Sequence, residues 1–230
     1  MLLDVAPTAT AQDVKRAYKD AIEDGLASAD DLQRAQEVLL TPSLRIDAEV
    51  GGFLDVAPDL AKHIIGELKK GATKQELADA LTSLHALPRS NVMAHLGSTS
   101  PMGVADLLQL LQTQATIAAR GVYDAISKAR WEAGTGRIDR DAVEDALARL
   151  EERQTNAVID PFVNDSAFAA NFAAGVKRVL ANKDRSLVTK LDRYIGAYDQ
   201  ATSAELSQRR EMVIEACDAL RLWFLLNTKL

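Results

Sequence analysis

Apolar residues recur at intervals of three and four along most of this chain of 230 residues. Such spacing places them on one face of an α-helix, whereas a half-buried strand would alternate apolar and polar residues. No convincing alternation of that kind occurs in the sequence. The pattern therefore predicts an all-α fold with roughly ten helices and no sheet.

Helix starts are marked by capping residues. Thr10 and Ser28 precede the first two predicted helices, and their hydroxyls can accept hydrogen bonds from the first free amides. Thr73-Lys74-Gln75-Glu76 and Thr202-Ser203-Ala204-Glu205 match the capping box, in which the fourth side chain bonds back to the first residue. Each box predicts that a new helix begins there, and the second of these helices is expected to end near Asn227.

The longest apolar stripe predicts a long helical hairpin, which completes a multi-helix bundle. Its first arm is one helix with its apolar stripe over residues 104–129, and about thirty residues of helix extend ~45 Å. Gly134-Thr135-Gly136 turns the chain into a second arm, whose stripe covers residues 143–158. The alanines of the first arm allow another helix to approach closely, which suits either an arm of a bundle or the seam of a homodimer.

The chain ends in a strongly apolar segment, in which Trp223 and Phe224 lie among leucines. A helix that is apolar all round is normally buried rather than exposed. We therefore expect Trp223 and Phe224 to lie in the core or at an interface with a partner.

Composition and charge narrow the classes of partner. The formal net charge is −6, whereas proteins that bind nucleic acid usually present a basic face, so no nucleic-acid partner is expected. The sequence has no run of 18 apolar residues and no signal-peptide pattern at its start, so no membrane partner is expected either. The single cysteine, Cys217, fits a reducing compartment, and we expect a cytoplasmic location.

Residues that could carry chemistry are scattered. None of the histidines stands four positions from another histidine or a cysteine, so the sequence has no zinc signature. Serines and an aspartate lie near two of these histidines, but no serine stands in a nucleophile elbow, the turn that would set the geometry of a catalytic triad. We therefore predict no catalytic, cofactor-binding or metal-binding residue, no cofactor, and a protein that is not an enzyme. The residues considered are His63, His85, His95, Ser90, Ser98, Ser100 and Asp106.

Three segments of the first fifty residues resemble a J domain, the module by which co-chaperones engage heat-shock-seventy ATPases. Residues 2–10 resemble its opening, Val14-Lys15-Arg16-Ala17-Tyr18 resembles its second helix, and residues 35–45 resemble the end of its third helix. A working J domain carries His-Pro-Asp between those two helices. Here residues 23–31 contain neither His nor Pro, and the interval is shorter than the usual loop.

The resemblance implies both a partner and a surface. In working J domains the polar face of the second helix meets the ATPase, which implies a docking role for Lys15, Arg16 and Lys19; the alternative is a solvated helix face. Without His-Pro-Asp, we expect that the chain does not stimulate the ATPase. The expected function is a non-catalytic protein-interaction module, an adaptor or co-chaperone-like partner of a heat-shock-seventy-type chaperone.

Gly51-Gly52 marks the first clear boundary, which predicts a J-like helical unit over 1–52 and a helical bundle domain over 53–230. Residues 41–50 and 87–96 are similar to segments of bacterial proteins that begin with a degenerate J-like domain. That second resemblance implies a bacterial, cytoplasmic origin. The alternative function is a helical component of a bacterial defence or toxin–antitoxin-like system that acts on a macromolecular target.

Overall fold

The fold is built from helices, as the apolar spacing predicts. The computed structural model describes residues 3, 5, 8–182 and 184–227, and beyond residue 203 it describes side chains only at positions 207, 210, 211, 214 and 215. Over the described residues the chain forms eleven α-helices, one short 3-10 helix and no strand, so the all-α fold is confirmed. The α-helices are α1 (Ala11–Glu23), α2 (Ala29–Leu40), α3 (Pro42–Gly51), α4 (Pro58–Lys69), α5 (Ala78–Ser83), α6 (Ala86–Thr99), α7 (Val104–Ala115), α8 (Ala119–Ala133), α9 (Arg140–Ile159), α10 (Ser166–Asn182) and α11 (Arg185–Asn227).

The first two helices begin at the predicted caps. The Thr10 hydroxyl accepts a hydrogen bond from the Asp13 amide at 3.2 Å, and the Asp13 carboxylate accepts one from the Thr10 amide at 2.9 Å. The Ser28 hydroxyl accepts the Asp31 amide in the same way at 3.2 Å. The two helices then pack against each other over a small core of their own, formed by Leu3, Ala9, Val14, Ala21, Leu32 and Leu39.

Two further hydrophobic cores organise the rest of the described chain. One lies between α3, α8 and α9 and contains Ile46, Val50, Ile126 and Val143. The larger one gathers side chains from α4 to α7 and from α9 to α11. Helix α6 lies between them and is buried on nearly every side, so that Gly97 packs against α9: a Cβ there would lie 3.0 Å from Val158 Cγ2. Helix α3 lies before the boundary predicted at residue 52, yet its apolar side chains pack with helices that follow it.

The predicted long hairpin is wrong in its first arm, which consists of two helices rather than one. Helix α7 ends at Ala115, and α8 begins at Ala119 after Ala118 adopts an extended backbone with φ −93° and ψ 116°. The leucines of α7 bury in the larger core, while Val122 and Ile126 of α8 bury against α3 and α9. One straight helix could not serve both cores, and the break lets each half reach its own. Of the predicted hairpin, only the α8 half of the first arm pairs with α9.

Neither predicted capping box directly starts a helix, and the reasons differ. The hydrogen bonds of the first box form, with the Thr73 amide 2.7 Å from the Glu76 carboxylate, but the next residues make a turn and α5 begins only at Ala78. The second box does not start a helix, because Thr202 lies inside α11 and its hydroxyl donates to the carbonyl of Tyr198 at 2.8 Å. The predicted last helix is thus the second half of a continuous helix of 43 residues.

Candidate functional site

The basic residues of α1 lie on the surface, where a partner could reach them. Lys15, Arg16 and Lys19 are all exposed. The Arg16 guanidinium lies 3.9 Å from the Asp13 carboxylate and the Lys19 ammonium 3.7 Å from Glu23. Pairs this exposed hold their partners weakly. Lys15 has no ion-pair partner among the described residues, so α1 keeps positive charge that faces solvent.

Apolar side chains continue this surface at the tip of the α1–α2 pair. Ile22 is 43% exposed and Leu26 65% exposed. Since Lys15, Lys19 and Ile22 are spaced by four and three residues, they share one face of the helix. We call Lys15, Lys19, Ile22 and Leu26 the α1 face. It combines a basic stretch with an apolar end.

The turn in the place of His-Pro-Asp is short and tightly closed. After α1, Gly25 adopts a left-handed backbone with φ 62°. Its amide donates to the Ile22 carbonyl at 3.2 Å, and the Leu26 amide donates to the Ala21 carbonyl at 3.1 Å. These two bonds are the Schellman ending of a helix, which favours glycine at this point. Ser28 then caps α2 at once, so no longer loop projects from the tip.

A buried group of three charges joins the α1–α2 unit to the bundle. Glu49 on α3 accepts hydrogen bonds from Arg45 Nε at 2.9 Å and from Arg130 Nε of α8 at 3.0 and 3.2 Å. Arg45 also donates to the Ala9 carbonyl at 3.0 Å, and Arg130 to the Pro42 carbonyl at 2.8 Å. All three side chains are at most 3% exposed. We call Arg45, Glu49 and Arg130 the buried triad.

The sequence gives little sign of the buried triad. Arg45 and Glu49 stand four residues apart, next to the apolar Ile46 and Val50, and this places them at the edge of the buried face of α3. Nothing in the sequence connects them with Arg130, which is 81 residues beyond Glu49. The contact depends on how α8 packs.

A second polar cluster lies inside the larger core. The Gln114 amide donates to Gln154 Oε1 at 2.8 Å and to the Tyr194 hydroxyl at 3.2 Å. The Gln154 amide donates to Asn91 Oδ1 at 2.7 Å, and the Asn91 amide donates to the Val50 carbonyl at 3.0 Å. Burial raises the pKa of the Tyr194 phenol far above its ordinary value, so the hydroxyl stays neutral. The buried network of Asn91, Gln114, Gln154 and Tyr194 thus ties together α6, α7, α9 and α11.

A hint of this network is present in the sequence. Gln114 follows Leu110 and Leu111 by four and three residues, and Gln154 stands midway between Leu150 and Val158. Both glutamines therefore occupy core positions of an apolar stripe, where an amide needs a partner. Neither glutamine is among the predicted site residues.

A cavity of about 420 Å³ opens beside the buried network, at the break between α7 and α8. On its α11 side Lys190 Nζ lies 2.7 Å and Arg193 3.2 Å from the same oxygen of Glu151, Oε2. The other oxygen of Glu151 is buried and has no hydrogen-bond partner among the described residues. The lining consists of Gln114, Ile117, Ala119, Glu144, Leu147, Ala148, Leu150, Glu151, Gln154, Lys190 and Arg193.

The residues considered for catalysis are mostly engaged in local structure. His85 Nε2 lies 2.7 Å from the Leu54 carbonyl, and the hydroxyls of Ser90 and Ser98 donate to carbonyls of their own helix. His95, Ser100 and Asp106 do line one cavity of about 350 Å³, where Asp106 forms an ion pair with Lys74. Among the described residues, no group of three or more His, Cys, Asp or Glu side chains could hold a metal ion.

The last helix carries the predicted buried aromatics. Trp223 and Phe224 belong to α11, but their side chains lie outside the described part of the chain, so their burial stays a prediction. None of the helices that the structure describes is both long enough and apolar enough to cross a lipid bilayer.

Comparison with known proteins gives this chain no relative. No family model, no curated protein and no solved structure matches it. The resemblance to a J domain therefore stays a prediction.

Proposed function

We propose that this chain is a non-catalytic protein-interaction module that binds a heat-shock-seventy-type chaperone through the α1 face and does not stimulate its ATPase. The observation that carries the proposal is the α1 face itself. It lies where the resemblance to a J domain implies contact with the chaperone, and its lysines point away from the core. Ile22 and Leu26 add an apolar contact to the basic residues predicted from the sequence.

The composition of the α1 face suits a protein partner. Protein interfaces commonly combine an apolar centre with a charged rim, and opposite charges on the two sides guide the partners together. Ile22 and Leu26 would supply the apolar contact, and Lys15 and Lys19 would attract an acidic surface. A nucleic-acid partner is less suitable, because α1 also carries Asp13, which lies beside Arg16.

The tight turn over residues 24–28 supports binding without stimulation. In the J domain that the chain resembles, the loop between the two helices delivers His-Pro-Asp to the chaperone. Here the Schellman ending and the Ser28 cap close the turn within a few residues. A chaperone bound to α1 would thus meet Leu26 where it would otherwise meet that motif.

The buried triad supports an adaptor role. Arg45 donates to the Ala9 carbonyl just before α1, and Glu49 on the same helix pairs with Arg130 of α8. The α1–α2 unit is therefore held on the bundle rather than tethered by a flexible linker. A chaperone bound at α1 would therefore be held in a defined orientation relative to the bundle, which is free to bind a second protein.

The test is a binding and ATPase experiment with the heat-shock-seventy chaperone of the source organism. We expect saturable binding by biolayer interferometry and no stimulation in a single-turnover ATPase assay. The double variant Lys15→Glu, Lys19→Glu should weaken binding by about tenfold or more, since the attraction of each lysine to an acidic surface would become a repulsion. The double variant Lys177→Glu, Arg178→Glu makes the same change of charge on exposed residues of α10. It is the matched control and should leave binding unchanged.

Three results would contradict the proposal. If the unaltered chain shows no saturable binding, the α1 face does not dock on this chaperone. If binding persists unchanged in the double variant, another surface is responsible. Several-fold stimulation of the ATPase would contradict the second half of the proposal, because it would require a replacement for His-Pro-Asp.

A further inference from the structure

We propose that the cavity at the break between α7 and α8 binds a small amphipathic carboxylate, with an aliphatic body and one negative charge. This inference goes beyond docking at α1, since the cavity is formed by α7, α8, α9 and α11. Its test needs no chaperone, so each proposal can fail without the other.

The cavity exists because the chain does not continue α7 as one helix. Thr116 ends α7, and its hydroxyl donates to the Thr113 carbonyl at 2.8 Å. Ala118 then turns the chain so that α8 packs against α3 and α9. Ile117 remains at the corner, with Gln114 before it, and both line the space that α9 and α11 close from the other side. A volume of about 420 Å³ lies within the range of pockets that hold small molecules.

Charge favours an anion in this cavity. Glu151 is opposed by two cations, Lys190 and Arg193, which both contact one of its oxygens. The second acid of the lining, Glu144, is already paired with Arg140 at 3.0 Å. Glu151, Lys190 and Arg193 together carry a net charge of +1 on the α11 side of the cavity, whereas Arg140 lies outside the lining. One negative charge on a ligand would balance them.

The two cations also have donors to spare. A lysine ammonium has three N–H groups and an arginine guanidinium has five, while Lys190 donates one hydrogen bond to Glu151 and Arg193 forms an ion pair with it. A carboxylate can accept from both at once, and such charge-assisted bonds are among the stronger ones in proteins. Lys190 and Arg193 lie about one turn apart on α11, and the Arg193 side chain is half exposed.

The apolar residues of the lining favour an aliphatic body. Ile117, Leu147 and Leu150 supply this apolar surface. The amides of Gln114 and Gln154 also line the cavity, but their N–H groups are already bonded within the buried network. They offer no free donors to a second polar group. A ligand with a charged head and an apolar chain therefore fits better than a sugar or a nucleotide.

The experiment uses sodium octanoate as the probe and isothermal titration calorimetry of the whole chain. We expect saturable binding of one octanoate. We expect weaker or undetectable binding of 1-octanol, which has the same chain without the charge, and of octylammonium, which has the opposite charge. Arg193→Gln and Lys190→Gln should each weaken octanoate binding by about tenfold. Arg178→Gln, exposed on α10, is the matched control and should bind as the unaltered chain does.

A second kind of variant separates binding from stability. Lys190→Gln and Arg193→Gln both leave Glu151 with fewer partners, so their folding is checked by circular dichroism and thermal melting. Ala148→Phe leaves the charges in place and fills the cavity from the exposed side of α9, and it should abolish octanoate binding. The proposal is overturned if octanoate does not bind saturably, if 1-octanol binds as tightly, or if Ala148→Phe binds octanoate unchanged.

Discussion

Replacing Glu49 by Gln should destabilise this protein more than any single change at its surface. The substitution keeps the shape of the side chain and removes its charge. In the native protein that carboxylate lies 2.9 Å from Arg45 and contacts Arg130 at 2.9–3.2 Å, and its side chain is only 3% exposed. Glu49→Gln thus takes the shared negative charge from two buried guanidinium groups.

The size of the effect follows from that burial. Breaking a buried ion pair by removing one partner destabilises a protein by about 3–5 kcal/mol, because the remaining charge stays buried without compensation. The total stability of a domain is about 5–15 kcal/mol, so the change would remove a large fraction of it. Arg130→Met should be milder, since Arg45 and Glu49 would still face each other one to one.

Urea unfolding at pH 7, followed by circular dichroism, measures the effect. The matched control is Glu144→Gln, which breaks the exposed pair with Arg140 and should change stability by less than about 1 kcal/mol. If Glu49→Gln changes stability as little as Glu144→Gln, the triad is not desolvated and does not hold α3 against α8.

Three other predictions concern packing, the buried network and pH. Gly97→Ala should destabilise the protein by about 1–3 kcal/mol in thermal melting, since the new methyl meets α9 at 3.0 Å, whereas Gly66→Ala in α4 meets nothing within 4 Å and should be stabilising. Tyr194→Phe removes a hydroxyl from the centre of the buried network, and urea unfolding should show a loss of about 1–3 kcal/mol. The hydrogen bonds from Thr10 hold the pKa of Asp13 below its ordinary value of 3.8. Because the folded pKa is the lower one, this contribution is present above pH 3.8 and is lost as the pH falls through the folded value, so Thr10→Ala should flatten the acid side of the stability profile. If the free energy of unfolding changes with pH equally in both proteins between about pH 5 and pH 2, this reasoning is contradicted.

The fold class could be read from the sequence because it depends on local spacing, whereas the missed break between α7 and α8 arose from distant contacts. Residues 116–118 contain neither glycine nor proline, and the apolar stripe continues through them. The break follows from the different cores that α7 and α8 reach. At Thr202 the cause is local. Its hydroxyl bonds to the carbonyl four residues back, so the capping pattern does not interrupt α11 to start a new helix.

The candidate sites divide along the same line. Lys15, Arg16 and Lys19 could be placed on an exposed helix face because their positions depend on α1 alone. The partners of Glu49 and Glu151 could not be found, because Arg130 and Lys190 approach them from helices far along the chain. Single residues in an amphipathic pattern reveal which face they occupy, and long-range packing decides what they meet there.

The distance along the chain between Glu49 and Arg130 also has a consequence during synthesis. The ribosome adds about 5–20 residues per second, so the 81 residues between them take about 4–16 s. Helices α1 and α2 can pair within that time, because their core is made of residues 3–39. Helix α3 must wait with Ile46 and Val50 uncovered until α8 emerges. The N-terminal hairpin therefore forms first, and for several seconds the growing chain presents the very apolar surface that nascent-chain chaperones bind.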